Sequence, residues 1–406
     1  MVHPWRRNPE PPPPDCGLQR KRGISKPDGS GSRRREQGRP ECTGAPVPWT
    51  FRGASGAAAE PPLNPSPKVI SVLQAGRGIA ALAVVLHHAG QSTVDFVGPM
   101  PTFLRVVIER GLLGVDFFFV LSGFIIYHTN MNKEPGLSWS WRYLESRLIR
   151  IFVPYLPVGL AVALAYTLLP GLSASDRPWD WVATLTLLPT PTEPALIVAW
   201  TLQHELIFYF LFWLFAMTRR PLLGAAIWSV LILVVAATWG EQPRPWFILL
   251  ALINVEFAFG MVGARLIATG TGPPTWLMLV GAALLAALFI GLGGLTAHRV
   301  LFGLAVALLL VPIVRAEQTG LFSTARSLIL LGDASYAIYL VHNPLIALLA
   351  RFAPPHWTIA FIWFSIAGTA AGLAYHMLFE RHAIAFLRVR AARVRRRWTG
   401  EFEGAT

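Results

Sequence analysis

Arg77 and His88, two ionisable residues of the first long apolar segment, have side chains that suit chemistry on a phosphate-bearing molecule. They are eleven positions apart, which in an α-helix is three turns plus about 20° and about 16 Å of rise, so they share one face. A guanidinium can hold phosphate in a fork, and an imidazole can take a proton from a hydroxyl. The structural alternative is an arginine that snorkels to lipid headgroups and a histidine bonded to a neighbouring helix.

Carboxylates stand near the start of three other apolar segments. Glu205 is four positions before Tyr209, so the two share a helix face. An unpaired carboxylate is costly in hydrocarbon, so Glu205 is predicted to hold an acceptor, orient a histidine or pair with an arginine. Asp116 lies near the outer membrane boundary, where it could orient a histidine or arginine or cap the helix N-terminus. Glu256 is a similar but weaker case.

Two further groups of polar residues have a functional and a structural interpretation. Ser335, Tyr339 and His342 are spaced i, i+4 and i+7, which makes a polar stripe on one helix face. Such a stripe either lines a cavity or forms hydrogen bonds between helices. Arg147 and Arg150 could bind nucleotide phosphates, and the excess of basic residues that is usual in cytoplasmic loops explains them almost as well.

A serine nucleophile is not predicted at Ser122, because the sequence lacks the flanking glycines of a nucleophile elbow. Ser122-Gly123 instead indicates a close contact between helices. The two cysteines, Cys16 and Cys42, indicate no metal site and no disulfide framework.

The composition is that of a membrane protein. Hydrophobic residues make up 53% of the 406 residues and charged residues only 14%, against about 25% in soluble domains. The net charge is +13, but the basic residues flank apolar segments and form no aromatic-interleaved module that would read bases. We therefore expect membrane lipids, including an anionic leaflet, as partners and no nucleic acid.

Apolar segments long enough to cross about 30 Å of hydrocarbon follow one another from Val69 onward. They predict an all-α, polytopic membrane helix bundle of about ten transmembrane helices. The segment Trp179–Leu188 is too short to span and is predicted to be interfacial or re-entrant. The predicted spans are Ile70–Gly90, Gly111–Tyr127, Ile149–Leu169, Leu196–Met217, Leu222–Trp239, Trp246–Thr269, Trp276–Leu295, Val300–Ile313, Leu328–Leu349 and Ile359–Phe379.

Lysine and arginine alternate between the two sides of these spans, which predicts that both termini are cytoplasmic. Residues 1–67 form a Pro/Gly/Arg-rich segment predicted to be a disordered tail. Residues 68–383 are predicted to be the membrane domain, and 384–406 a basic cytoplasmic tail. The basic loops assigned to the cytoplasm contain Lys133, Arg142, Arg147 and Arg150; Arg219 and Arg220; Arg265; and Arg315 and Arg326.

Four separated motifs together resemble acyltransferase family 3, the bacterial integral membrane O-acyltransferases, and especially its exopolysaccharide-acetylating subgroup. The resemblance spreads over most of Val69 to Phe379, and the family has a ten-span core. One departure is Gly76, where the family usually has a larger apolar residue. The motifs are Gln74-Ala75-Gly76-Arg77-Gly78 through His88, Gly114-Val115-Asp116 through Gly123-Phe124, Trp200-Thr201-Leu202 through Glu205 and Tyr209, and Leu331-Gly332-Asp333-Ala334-Ser335-Tyr336 through His342.

The resemblance implies transfer of an acyl group, acetyl by preference, from acyl-CoA to a sugar hydroxyl. The expected acceptor is an exported polysaccharide or its lipid-linked precursor, the expected location the bacterial inner membrane, and no bound cofactor or metal is expected. Alternatives are a non-polysaccharide acceptor such as a macrolide, a proton or solute transporter, and a catalytically silent glycan-binding relative. The candidate catalytic residues are His88, Glu205 and Asp116, and the candidate substrate- or CoA-binding residues are Arg77, Arg147, Arg150, Tyr209, Tyr339 and His342.

Overall fold

The computed structural model describes residues 70–169, 177–240, 242–293 and 298–403, the last nine by their backbone alone. The expectations for the N-terminal tail and for Cys16 and Cys42 lie outside these residues. The described regular structure is helical, apart from one isolated bridge between Trp179 and Glu193, which confirms the all-α prediction.

Fifteen α-helices follow one another along the described residues. They are α1 Ser71–Phe96, α2 Thr102–Glu109, α3 Gly114–Asn130, α4 Leu137–Leu168, α5 Trp181–Thr186, α6 Trp200–Met217, α7 Pro221–Thr238, α8 Trp246–Leu250, α9 Val255–Thr269, α10 Thr275–Gly291, α11 Arg299–Gln318, α12 Arg326–Asp333, α13 Ser335–Leu349, α14 Trp357–Tyr375 and α15 Arg381–Glu403.

Eight helical stretches of the described chain are long and apolar enough to cross a membrane. Two of the ten predicted spans fall outside this set, and the count of ten stays a prediction. Helix α10 is apolar but has only 17 residues. The predicted span Leu328–Leu349 is broken at Ala334 into α12 and α13. The eight stretches are Ser71–Phe96, Thr102–Asn130, Leu137–Leu168, Ile197–Met217, Pro221–Thr238, Leu252–Thr269, Arg299–Gln318 and Trp357–Val394.

Helices α1 and α12 pack backbone against backbone through two glycines. A Cβ atom on Gly332 would lie 2.5 Å from the carbonyl carbon of Gln74, and one on Gly78 would lie 2.9 Å from the Gly332 nitrogen. Small residues drive association of helices in lipid, because they let the backbones approach and so gain van der Waals contact. This contact brings the first and the last sequence motif together.

Helices α3 and α9 are joined in the same way. A Cβ on Gly123 would lie 2.7 Å from the carbonyl carbon of Phe257, and one on Gly260 would lie 2.7 Å from the Phe124 nitrogen. The interpretation of Gly123 as a close helix contact is therefore confirmed. The rings of Phe208 on α6 and Phe257 on α9 stack beside this contact, with centroids 4.0 Å apart.

A polar network in the connecting segments fixes the first turn of α6. Arg244 donates to the side-chain oxygen of Gln203 at 3.3 Å and forms an ion pair with Glu193 at 3.1 Å. Gln203 in turn donates to the Leu188 carbonyl at 3.0 Å. Since Gln203 is two residues before Glu205, this network sets the position of the candidate carboxylate.

The segment predicted to be interfacial contains the six-residue helix α5. Asp180 caps it, because its carboxylate accepts from the Ala183 backbone N–H at 2.7 Å. Helix α4 carries Pro154 and Pro157 in its interior. The hydroxyls of Tyr336 and Tyr375 donate to the carbonyls of Ile151 and Pro154 in this stretch, which joins α4 to α13 and α14.

Candidate active site

A cavity of about 570 Å³ lies between helices that carry all four sequence motifs. Its walls come from α1, α3, α4, α6, α13 and α15, with one or two residues from each of three neighbouring segments. Of the nine candidate residues, six line it and three do not. The six are Arg77, Arg147, Arg150, Glu205, Tyr209 and Tyr339.

Arg77 is held by the residues that follow the break between α12 and α13. Its Nε donates to the Ser335 hydroxyl at 3.1 Å, and that hydroxyl donates to the Gly332 carbonyl at 2.7 Å. One turn before Arg77, Gln74 donates to the Asp333 carboxylate at 3.0 Å. The fork of Arg77 therefore retains its terminal nitrogens for a ligand in the cavity.

Glu205 faces the cavity from the second turn of α6. The hydroxyls of Ser122 and Tyr209 both donate to its Oε1, the former at 3.3 Å. The Tyr143 hydroxyl donates to the Tyr209 carbonyl at 3.0 Å and braces this part of the wall. Among the described residues, Oε2 of Glu205 makes no hydrogen bond, so it is available to a bound hydroxyl.

The two arginines of α4 have different surroundings. The Arg147 guanidinium lies over the Tyr209 ring, 5.6 Å from its centroid, and its Nε has no hydrogen-bond partner among the described residues. Arg150 forms an ion pair with Glu380 at 3.2 Å and lies over the Tyr336 ring. Arg147 is therefore freer to bind an anion, while Arg150 joins α4 to the segment that precedes α15.

Tyr339 marks the wall of the cavity beyond which the two candidate histidines lie. Its hydroxyl is 2.9 Å from the Thr201 hydroxyl and donates to the Val198 carbonyl at 3.1 Å. The His342 ring is centred 5.9 Å from Tyr339 and 5.2 Å from His88. His342 Nδ1 donates to the Ile338 carbonyl at 2.9 Å, which leaves Nε2 as an acceptor without a partner among the described residues. The stripe on α13 thus both lines the cavity and bonds helices together.

Asp116 is committed to an arginine. Arg299, at the start of α11, donates from Nε to Oδ1 at 3.0 Å and from Nη2 to Oδ2 at 2.6 Å, and the Asp116 side chain is fully buried. Glu256 is also fully buried and packs beside Gly303, with no hydrogen-bond partner among the described residues. This group lies outside the cavity lining.

Neither expected carboxylate orients His88. Asp116 pairs with Arg299, and Glu205 accepts from Ser122 and Tyr209. Among the described residues, the ring neighbours of His88 are His87 and His342. The expectation that Glu205 or Asp116 holds the imidazole is therefore corrected, because both carboxylates have other partners.

The cavity also has lining residues that sequence reasoning did not select. Arg381 and Arg388 lie on α15, and His376 and Glu380 lie on the π-helical turn before it. Nδ1 of His376 is 2.7 Å from the Glu380 carboxylate. The i to i+7 spacing of Arg381 and Arg388 is a signal that could have been found, whereas the pairing of Glu380 with Arg150 across the fold had no signal in the sequence.

An arginine-rich cavity with a carboxylate in its wall and histidines behind it is enclosed by helices that are long and apolar enough to cross a membrane, which is the architecture of a multi-pass membrane protein. The acyltransferase 3 family model, described as an acyltransferase domain, matches residues 70–380, and the chain belongs to this family. The family resemblance of the four motifs is thus confirmed. The protein is a membrane O-acyltransferase.

Two curated relatives are similar over most of their length. The exopolysaccharide production protein ExoZ of Rhizobium meliloti (strain 1021) is 29% identical over 299 residues, which cover 67% of this chain and 89% of the relative. The acyltransferase MdmB of Streptomyces mycarofaciens is 28% identical over 305 residues, covering 66% of this chain and 76% of the relative. No solved structure matches the chain significantly.

Proposed function

We propose that this enzyme transfers an acyl group, acetyl by preference, from acyl-CoA in the bacterial cytoplasm to a hydroxyl of an exported polysaccharide or its lipid-linked precursor. The observation that carries the proposal is the cavity itself, which is lined by five arginines and by Glu205. Acyl-CoA suits such a cavity, because it carries several phosphate charges and a long flexible arm that ends in the thioester. The similarity to a protein named for exopolysaccharide production supports a polysaccharide as acceptor.

The donor is bound by the arginines of the cavity wall, which we place toward the cytoplasmic face. Arg77 and Arg147 hold phosphate oxygens, because their guanidinium groups face the cavity and form no ion pair with a carboxylate of the described residues. The pantetheine arm then runs along α1 and delivers the thioester toward Tyr339 and the histidines. Glu205 accepts a hydrogen bond from a hydroxyl of the acceptor through its second oxygen.

His88 is the proton acceptor in this proposal. It lies behind Tyr339 and beside His342, outside the cavity lining, so the thioester and the attacking hydroxyl must pass Tyr339 to reach it. It removes the proton of the attacking hydroxyl, the oxygen adds to the thioester carbonyl, and the C–S bond breaks as the tetrahedral intermediate collapses. The thiolate takes the proton back from the imidazolium and leaves as CoA. In the alternative route, the His88 nitrogen first attacks the thioester, and an acyl-histidine passes the group to the hydroxyl. Ping-pong kinetics or a trapped acyl-enzyme would decide for the second route.

The test follows isotope-labelled acetyl-CoA into glycan extracted from membranes that contain wild type or His88→Ala. We expect label with wild type and at least a hundredfold less with the variant, the usual size of a lost general base. His356→Asn is the matched control, because His356 caps α14 and asparagine is also a good N-cap. Labelling that is equal in wild type and His88→Ala, or absent from wild type, would contradict the proposal.

A further inference from the structure

One face of α15 forms part of the cavity wall. Arg381, Ile384, Ala385 and Arg388 all line the cavity and are spaced i, i+3, i+4 and i+7. In an α-helix these positions lie on one stripe, and the two arginines at its ends are about 10 Å apart along the axis. The stripe is therefore basic at both ends and apolar in the middle.

This helix is fastened to the bundle. It begins directly after the π-helical turn His376–Glu380. Glu380 is 1% exposed, and its two oxygens are bonded to Arg150 and His376. Ile384 on the stripe is also buried. The first two turns of α15 thus belong to the membrane domain, although the sequence places most of them in a basic tail.

The cavity lining carries more positive than negative side chains. Five arginines line the cavity against three carboxylates, Glu205, Asp333 and Glu380. Glu380 is satisfied by Arg150 and His376, and Asp333 accepts from Gln74. No hydrogen bond or ion pair joins Arg388 to a described residue. Clustered like charges repel unless an anion lies between them, so this wall fits a polyanionic ligand.

We propose that α15 completes the donor site, with Arg388 binding the 3′-phosphate of CoA and Arg381 its diphosphate. This inference rests on the proposed function. The 3′-phosphate and the diphosphate flank the adenosine of CoA, and the two arginines flank the apolar pair Ile384 and Ala385 in the same order. Arg388 is seven residues farther from α14 than Arg381, so in this arrangement it meets the part of the donor farthest from the thioester.

The test compares the dissociation constants of CoA and 3′-dephospho-CoA for the purified full-length protein. We expect wild type to prefer CoA by on the order of tenfold, the size of one charge-assisted contact. Arg388→Ala should lose that preference, because the substitution weakens the binding of CoA and leaves the binding of 3′-dephospho-CoA unchanged. The matched control is Arg390→Ala, which removes the same charge from the same helix at an exposed position outside the cavity lining.

The possible outcomes distinguish a failure of the proposed donor from a failure of the role proposed for α15. A wild type that binds neither nucleotide would overturn the proposed donor and the inference with it. CoA binding without a preference for the 3′-phosphate would overturn the inference alone. So would equal losses in Arg388→Ala and Arg390→Ala, since these would indicate a general effect of net charge rather than a contact.

Discussion

Substituting Gly332 by alanine tests the contact that joins the first and last motifs. The new Cβ would lie 2.5 Å from the Gln74 carbonyl carbon, whereas ordinary contact begins at 3.4 Å. The Gln74 carbonyl oxygen would lie closer still, so the backbones of α1 and α12 must separate by more than about 1 Å. Overpacking of this kind costs about 1–3 kcal/mol. At roughly 2 °C per kcal/mol for a large domain, the melting temperature in detergent should fall by a few degrees.

The same displacement should weaken donor binding. Arg77 lies on α1 and bonds to Ser335 across this contact at 3.1 Å, so a shift of this size breaks the bond. We expect Gly332→Ala to lower CoA affinity and thermal stability together. Gly291→Ala is the control, because no atom lies within 4 Å of the added methyl group. A Gly332→Ala protein with wild-type melting temperature and CoA affinity would refute the reasoning.

Two further predictions concern arginines. Arg299→Ala should destabilise the protein by about 3–5 kcal/mol, because it leaves the buried Asp116 carboxylate without its partner. The control Arg105→Ala breaks an exposed ion pair and should cost under about 1 kcal/mol. Equal melting temperatures of the two variants would contradict this prediction. Arg77→Lys should reduce CoA affinity about tenfold at an unchanged melting temperature, because one ammonium group cannot bond to Ser335 and to a phosphate at once as the guanidinium fork does. Unchanged CoA affinity in a binding titration would show that Arg77 does not bind the acyl donor.

Local patterns in the sequence are sufficient to predict the helical class and part of the site. The cost of burying an ionisable group makes Arg77 and Glu205 conspicuous in apolar segments, and both line the cavity. The spacing of Glu205 and Tyr209 also predicts their shared helix face, on which the tyrosine hydroxyl bonds to the carboxylate. These inferences succeed because they depend on positions within one helix.

Pairing between distant helices could not be predicted. Asp116 and Arg299 are 183 positions apart, and no local pattern in either segment indicates that the two residues form a pair. The expectation that Glu205 or Asp116 orients His88 failed for this reason. Asp116 is paired with Arg299, and Glu205 accepts from Ser122 and Tyr209. The stripe on α15 was missed for a different reason: its arginines resemble the charges of any cytoplasmic tail until their spacing is compared with a helix face.

Glycine contacts explain why motifs scattered over the chain form one site. Lipid gives helices little hydrophobic reason to associate, so close backbone approach at small residues decides which side chains meet. Gly332 meets α1 one turn from Arg77, and Gly123 meets α9 next to Ser122, the partner of Glu205. Each contact therefore sets a polar bond within one helical turn of itself.

The departure from the family pattern at Gly76 has a physical counterpart on α3. A Cβ at Gly76 would come within 3.1 Å of the Phe117 Cε1 atom and closer still to the tip of the ring. The phenylalanine thus occupies the space that a larger residue at position 76 would need. Because Phe117 and Gly76 together fill one volume beside Arg77, the geometry around the guanidinium depends on both residues. A larger residue at position 76 would therefore have to displace the far end of the Phe117 ring or be accompanied by a smaller residue at position 117.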